Sequence, residues 1–281
     1  MHPLSRLAAL FALASLCACG APSKQGRGPD EADPEAVPTY DRVTRDLFNK
    51  TAADLYLPLF WTADSDSDGA LDPDELAVLW GYGEQDRSLW LSGEDFGPEL
   101  FLAYEQIAAA AKKGSDSGTA ESDEAKRRAA VLEELSQGYP TLVANDFSEA
   151  ADADREVVRH IMKASLLIEE LYGRQNGVHG MAKQIPKDDP SSRMLFHRNQ
   201  GPWCLAPRTE GNPDCNALPS KPGRISGLYP EDIQGEEDFC GTLASHPDQA
   251  QLLTPFVIVG ESDGGDLEPI PYTTAYGKTM K

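Results

Sequence analysis

Twelve consecutive residues, Asp64-Ser-Asp-Ser-Asp-Gly-Ala-Leu-Asp-Pro-Asp-Glu75, constrain this chain more than any other segment. Asp64, Asp66 and Asp68 stand on alternate residues and Gly69 follows them. Carboxylates so close in sequence repel one another unless the backbone curls and turns them onto a shared positive charge. Gly69 permits the positive φ that such a curl needs. Ala70 then offers its backbone carbonyl, Asp72 a further carboxylate acting directly or through water, and Glu75 two oxygens at the end of the run. Oxygen donors thus fall at the first, third, fifth, seventh, ninth and twelfth positions, the arrangement by which a single loop wraps a hard divalent cation. Leu71, in the eighth position, is expected to enter a core and pair as a short strand.

These residues resemble the calcium loop of the EF-hand family. The resemblance implies calcium as the cofactor, with Asp64, Asp66, Asp68, Ala70, Asp72 and Glu75 as its ligands. The flanks are read to match: Phe60 lies just before the loop, and Asp72-Pro73 is a good helix start, with Pro at the first helical position. An exiting helix is therefore expected from Pro73 to about Trp80, with Leu76, Leu79 and Trp80 on its apolar face and Gly81 and Gly83 ending it. EF-hands usually pair. Residues 84–95 place Glu84, Asp86, Ser88, Leu91, Ser92 and Asp95 at the corresponding positions, but Leu89 replaces the turn glycine, so this second loop is expected to be structural.

Charge limits the partners. The 281-residue chain has 46 acidic against 25 basic residues and a formal charge of -21, which repels phosphate backbones and attracts cations or basic surfaces. Nucleic-acid binding is excluded on that ground. At the start, His2 and Arg6 precede an apolar run from Leu7 to Leu16, too short to span a bilayer as a mature helix and therefore read as a cleaved export signal over residues 1–19. The run ends in Leu16-Cys17-Ala18-Cys19, which resembles the lipobox of bacterial lipoproteins; the small residue before Cys19 makes Cys19 the expected lipidation site. The implied location is a bacterial membrane, facing the periplasm or cell surface, with the membrane reached through the lipid. Of the remaining cysteines, Cys204 and Cys215 would close a short loop as a disulfide, a pairing with Cys240 stays open, and one thiol is left over. No closely spaced Cys/His set argues for zinc.

The fold class expected is α+β and mainly helical: a helical region over 41–111 carrying the loop, then a mixed helix and strand lobe over 124–281. Residues 20–40 are rich in Pro, Gly, Asp and Glu and read as a flexible tether. A first helix is expected from about Asp41, with Val43, Leu47, Thr51 and Leu55 along one face and Pro58 kinking or restarting it. Phe101–Ala111 and Glu124–Leu135 read as helices on either side of a polar break at 112–123. The clearest period runs from Asp152 to about Tyr172, where Val157, Val158, Ile161, Ala164, Ile168, Leu171 and Tyr172 make the stripe of a helix packed on a core. His160 beside that stripe is read as structural, and Phe256–Val259 as a buried strand.

Four later stretches, LLIEELYGRQNG at 166–177, RNQGPW at 198–203, KPGRISGLYPEDI at 221–233 and LEPIPYTTAY at 267–276, resemble the N-terminal part of the dipeptidyl peptidase III-like zinc metallopeptidases. Cys204, where that family usually has a polar residue, departs from the pattern. The family's chemistry needs His-Glu-x-x-Gly-His to hold zinc, and none of His2, His160, His179, His197 and His246 is followed by Glu. No catalytic residue carries over, and no nucleophile elbow or phosphate loop is present. The expected function is that of a non-enzymatic, exported lipoprotein with structural calcium and a lobe for binding or support of an unidentified protein partner. The alternative is the front part of a zinc-dependent metallopeptidase whose catalytic part lies outside this chain.

Overall fold

Pro58 divides the first region. Before it, Arg45–Asp54 form helix α1; after it the backbone is extended as strand β1 (Leu59–Trp61), because proline cannot continue a helical ladder. The structure, a computed structural model, describes residues 38–81, 86–113 and 122–279, and Thr39–Lys281 form one compact unit. The expected export signal with Cys19, residues 20–37 of the expected tether, and Gly83 and Glu84 lie outside the described residues. The helix starts later than Asp41, and its buried side chains are Phe48, Asn49, Thr51 and Ala52, whereas Leu47 is exposed. Phe48 sets the facing: its ring meets Trp61 edge-on at 6.0 Å and decides which side turns inward.

The helix expected over Pro73–Trp80 is not formed. Pro73–Glu75 make a single 3-10 turn, and Leu76–Val78 then form strand β2, antiparallel to β1 with Trp61 opposite Leu76 and Leu59 opposite Val78. A helix there would end at Gly81 after two turns, too short to stand on its own hydrogen bonds, while the strand register buries Leu59, Trp61 and Leu76 together. The loop is therefore carried between two strands. A second hairpin, β3 (Leu91–Ser92) with β4 (Asp95–Phe96), follows, and helix α2 (Leu100–Lys113) closes this core with Leu100, Tyr104 and Ile107. Tyr40 also belongs to the fold and not to the tether: its ring stands edge-on to Phe96 at 4.6 Å and to Tyr104 at 5.0 Å.

Beyond the polar break, helices α3 (Asp123–Ser136), α4 (Asp152–Gln175) and α5 (Pro190–Asn199) appear. A second core holds Val131, Leu135, Leu195, Ala217 and Leu218 together with Cys204 and Cys215. Helix α5 touches the first region too, where Ser191 Oγ donates to the carbonyl of Asp54 at 2.8 Å and His197 stacks edge-on to Tyr56. Helix α4 has the expected period but not the expected packing. None of its residues is buried; Val157, Ile161 and Ile168 are 57%, 62% and 64% exposed. Of the expected stripe Val158 and Leu171 are half-buried, and Val158 shares its half-buried side with Met162 and Ser165. His160 is exposed and lies 3.4 Å from Glu156.

After three short helices, α6 (Glu231–Gln234), α7 (Phe239–Ser245) and α8 (Gln249–Leu252), strands β5 (Val257–Glu261) and β6 (Leu267–Pro271) pair antiparallel. Phe256 lies outside the strand, at φ 66° and 76% exposed; Val259 is the strand residue that is buried, against Leu243 and Leu252. Helix α9 (Tyr272–Ala275) ends the described fold. The stretches around 166–177, 198–203 and 221–233 meet at the end of α4: Gly227 N donates to Gln175 O at 2.8 Å, and Trp203 Nε1 donates to Pro222 O at 2.9 Å. Among the described residues no helix is long and apolar enough to cross a membrane.

Candidate metal centre

Strands β1 and β2 hold the two ends of the acidic loop side by side. Thr62 N donates to Glu75 O at 2.8 Å, Thr62 Oγ1 to the same carbonyl at 2.8 Å, and Asn49 brackets the backbone of Trp61 with bonds of 2.7 and 3.0 Å. Inside this frame the chain curls through Ser67 at φ 64° and Gly69 at φ 78°, the left-handed conformation that glycine adopts without steric cost. Asp66 Oδ1 accepts from Asp68 N at 3.2 Å, and Asp68 Oδ1 accepts from Ala70 N at 2.7 Å. These short-range bonds shape the curl and turn alternate side chains to one side.

The result is a cluster. Carboxylate oxygens of Asp64, Asp66 and Asp68 lie within 4.8 Å of one another, with Asp64 half-buried and the other two exposed. Oδ1 of Asp64 is buried and accepts no hydrogen bond. A buried carboxylate oxygen without a partner costs free energy, and a cation is the ligand chemistry that relieves it. Asp72 completes the acidic surround: burial raises its carboxyl above the ordinary range, and the nearby charges of Asp68, Asp66, Glu75 and Asp74 raise it further.

Glu75 stands apart from the three-aspartate cluster. Its carboxylate is buried, with Oε1 accepting from Ser65 N and, at 2.8 Å, from Ser65 Oγ, while Oε2 accepts from Trp61 Nε1 at 2.9 Å and Asp72 N at 3.4 Å. Burial opposes its ionisation, but these donors outweigh burial and hold the carboxyl below its usual value. Leu71 enters the core, and its N–H donates to the carbonyl of Tyr40 at 3.1 Å. Tyr40, which packs on Phe96 and Tyr104, thus ties the loop to the first core. Asp86 accepts from Ser88 N at 2.9 Å, which makes it a turn-shaping residue of the second acidic stretch.

The sequence reading missed Ser65, Trp61 and Tyr40, which position the loop. Trp61 was visible as an aromatic before the loop, at a place where alternation with Leu59 marks an inward-facing strand residue. It also missed buried charges elsewhere, two of them, Arg127 and Glu134, on α3. Arg127 donates to Ser192 Oγ at 2.8 Å and Asn216 O at 2.9 Å and pairs with Asp189, and Glu134 accepts from Arg198 Nη2 at 2.7 Å and from the N–H groups of Leu205 and Ala206 at 3.1 Å each. Both lie on the helical stripe Arg127, Ala130, Val131, Glu134, a polar interruption of an apolar face that signals a buried network. Cys204 and Cys215 are joined in a disulfide with Cα atoms 5.7 Å apart, and Cys240 is an exposed free thiol. The disulfide removes both sulfurs from the ligands available to a metal beside Glu134.

No family model, curated protein or solved structure matches the chain.

Proposed function

We propose that this chain is an exported, lipid-anchored calcium-binding protein in which one acidic loop holds a structural calcium ion and the second half is a non-catalytic lobe for binding or support. The observation that carries the reading is the convergence of Asp64, Asp66 and Asp68 with a buried, unpartnered Oδ1 on Asp64. Asp64, Asp66 and Asp68 would hold the ion, with the Ala70 carbonyl and Asp72 as further oxygen donors, while Glu75, whose oxygens accept from Ser65, Trp61 and Asp72, braces the loop behind them. The ion would supply positive charge and cross-link the loop. In this reading the dodecapeptide is an EF-hand loop presented on a strand pair, with Tyr40 tying it to the first core.

A structural role fits better than a sensor role, because β1, β2 and the Asn49 and Trp61 bonds brace both ends of the loop and leave no helix pair to open. Extracellular modules bind calcium at about 10⁻⁴ to 10⁻³ M, concentrations that an exported protein meets. The test is a terbium titration with calcium displacement, excited through the tryptophans. Saturable luminescence reversed by calcium supports the reading; no binding at millimolar ion contradicts it.

A second reading rests on the packing of the peptidase-like stretches against one another at the end of α4, through Gly227 N to Gln175 O and Trp203 Nε1 to Pro222 O. It makes the chain the front lobe of a zinc metallopeptidase. Coding DNA for His-Glu-x-x-Gly-His continuing this reading frame, or next to it, would favour that alternative; its absence would count against it.

A further inference from the structure

A cleft of about 390 Å³ opens where α4 ends and the 198–203 and 221–233 stretches meet. Its floor is the indole of Trp203, fixed in orientation by the bond from Nε1 to Pro222 O. Over that ring, 5.0 Å from its centroid, stands the guanidinium of Arg224. Arg224 forms no ion pair among the described residues, although the chain has 46 acidic side chains and arginines such as Arg127, Arg128, Arg174 and Arg198 are each paired with one. Among the described residues the side chains of Asn176 and Tyr172, which also line the cleft, make no hydrogen bond, and Leu205 and Ile225 add apolar surface.

We propose that this cleft is a binding site for a small organic carboxylate bearing a planar or apolar body. Each part of such a ligand has a counterpart. The planar fork of Arg224 matches a carboxylate in two-point contact, and stacking on Trp203 leaves its outward N–H groups free to make it. The Asn176 amide and Tyr172 hydroxyl are donors for the lone pairs of the two oxygens that the fork leaves free. The ligand body is received by the faces of Tyr172, Leu205 and Ile225. A cation held in a cleft of a chain with a charge of -21 also selects strongly: cationic ligands are drawn to the rest of the surface, whereas here an anion finds a local positive point. The Pro222 bond and the Arg224 stack hold the site before any ligand arrives, so little ordering accompanies binding.

The experiment uses benzoate and its uncharged counterpart benzamide as probes, with the indole N–H signal of Trp203 in a nitrogen–proton correlation spectrum as the readout, assigned through Trp203→Phe. Benzoate is expected to shift that signal saturably, and benzamide to bind at least about tenfold more weakly. Arg224→Gln should bring benzoate down to the benzamide level while the melting temperature stays unchanged, since Arg224 is exposed. Arg224→Lys, which keeps the charge but loses the planar fork, should fall between the two. No saturable shift with benzoate, equal binding of benzamide, or unaltered benzoate binding in Arg224→Gln each overturns the proposal.

Discussion

Trp61 donates its indole N–H to Oε2 of Glu75 at 2.9 Å, tying the last residue of the acidic loop to the strand that leads into it. Trp61 is buried and so is Glu75, so this bond lies in a dry environment where an unmatched charge is costly. Trp61→Phe removes the donor and keeps an aromatic ring. It is expected to destabilise the fold by about 1.5–3 kcal/mol, the range for a hydrogen bond to a charged group, as read in urea unfolding. A loss below about 0.5 kcal/mol would mean that the strand pair alone holds Glu75.

Glu134 makes the fold sensitive to acid. It is fully buried, and although burial opposes its ionisation, bonds from Thr209, Asn199 and the Leu205 and Ala206 amides lower its pKa from the usual 4.5. Glu124, bonded by Arg127 and Arg128, is lowered to about 2. A depressed carboxyl contributes stability above its unfolded pKa and loses it as pH falls through the folded value. Stability should therefore be level above about pH 5 and decline below the ordinary carboxylate value of 4.5, the Glu124 contribution fading toward pH 2. Glu134→Gln should cost about 3–5 kcal/mol at neutral pH, because Arg198 loses its charge partner and the new amide faces the backbone donors, and should flatten the acid limb in a melt-versus-pH series.

Gly227 is required by close backbone approach. A Cβ built there would lie 1.8 Å from the carbonyl oxygen of Arg174, and the neighbouring Gly177, at φ +69°, would meet Ile225 O at 2.0 Å. Gly227→Ala must push the 221–233 stretch off the end of α4. The expected cost is at least about 2 kcal/mol, with faster hydrogen exchange at Gln175 to Val178 as its local sign. A variant with native stability and exchange would show that this junction yields easily.

What the residues reveal differs from one element to the next. The acidic loop is legible because its meaning lies in fixed offsets: Asp64, Asp66, Asp68 and Gly69 dictate a curl whatever surrounds them. The elements on either side are not. Leu76–Trp80 is a short apolar run that fits a helix or a strand, and the choice falls to Leu59 and Trp61, which lie across from it only once the chain has folded. Helix α4 shows the complementary limit. Its period marks Asp152–Gln175 as helical, but amphipathicity names an apolar face without naming what covers it, and Val157, Ile161 and Ile168 are exposed in the structure. Tyr40 escaped notice because the Pro- and Ala-containing stretch before it has almost no bulky apolar side chain, and a single aromatic at the edge of such a segment has no period to mark it.

The central claim, that the loop binds calcium through Asp64, Asp66 and Asp68, is tested most directly by calorimetric titration of calcium into the wild-type protein and into Asp66→Asn and Asp68→Asn. Both aspartates are exposed, so the substitutions should leave the fold intact while removing ligand charge. The account predicts one site in the wild type, at least about tenfold weaker binding in each variant, and a melting temperature that rises with calcium only in proportion to occupancy. A wild-type protein that takes up no calcium at millimolar concentration, or variants that bind it equally well, would contradict the account.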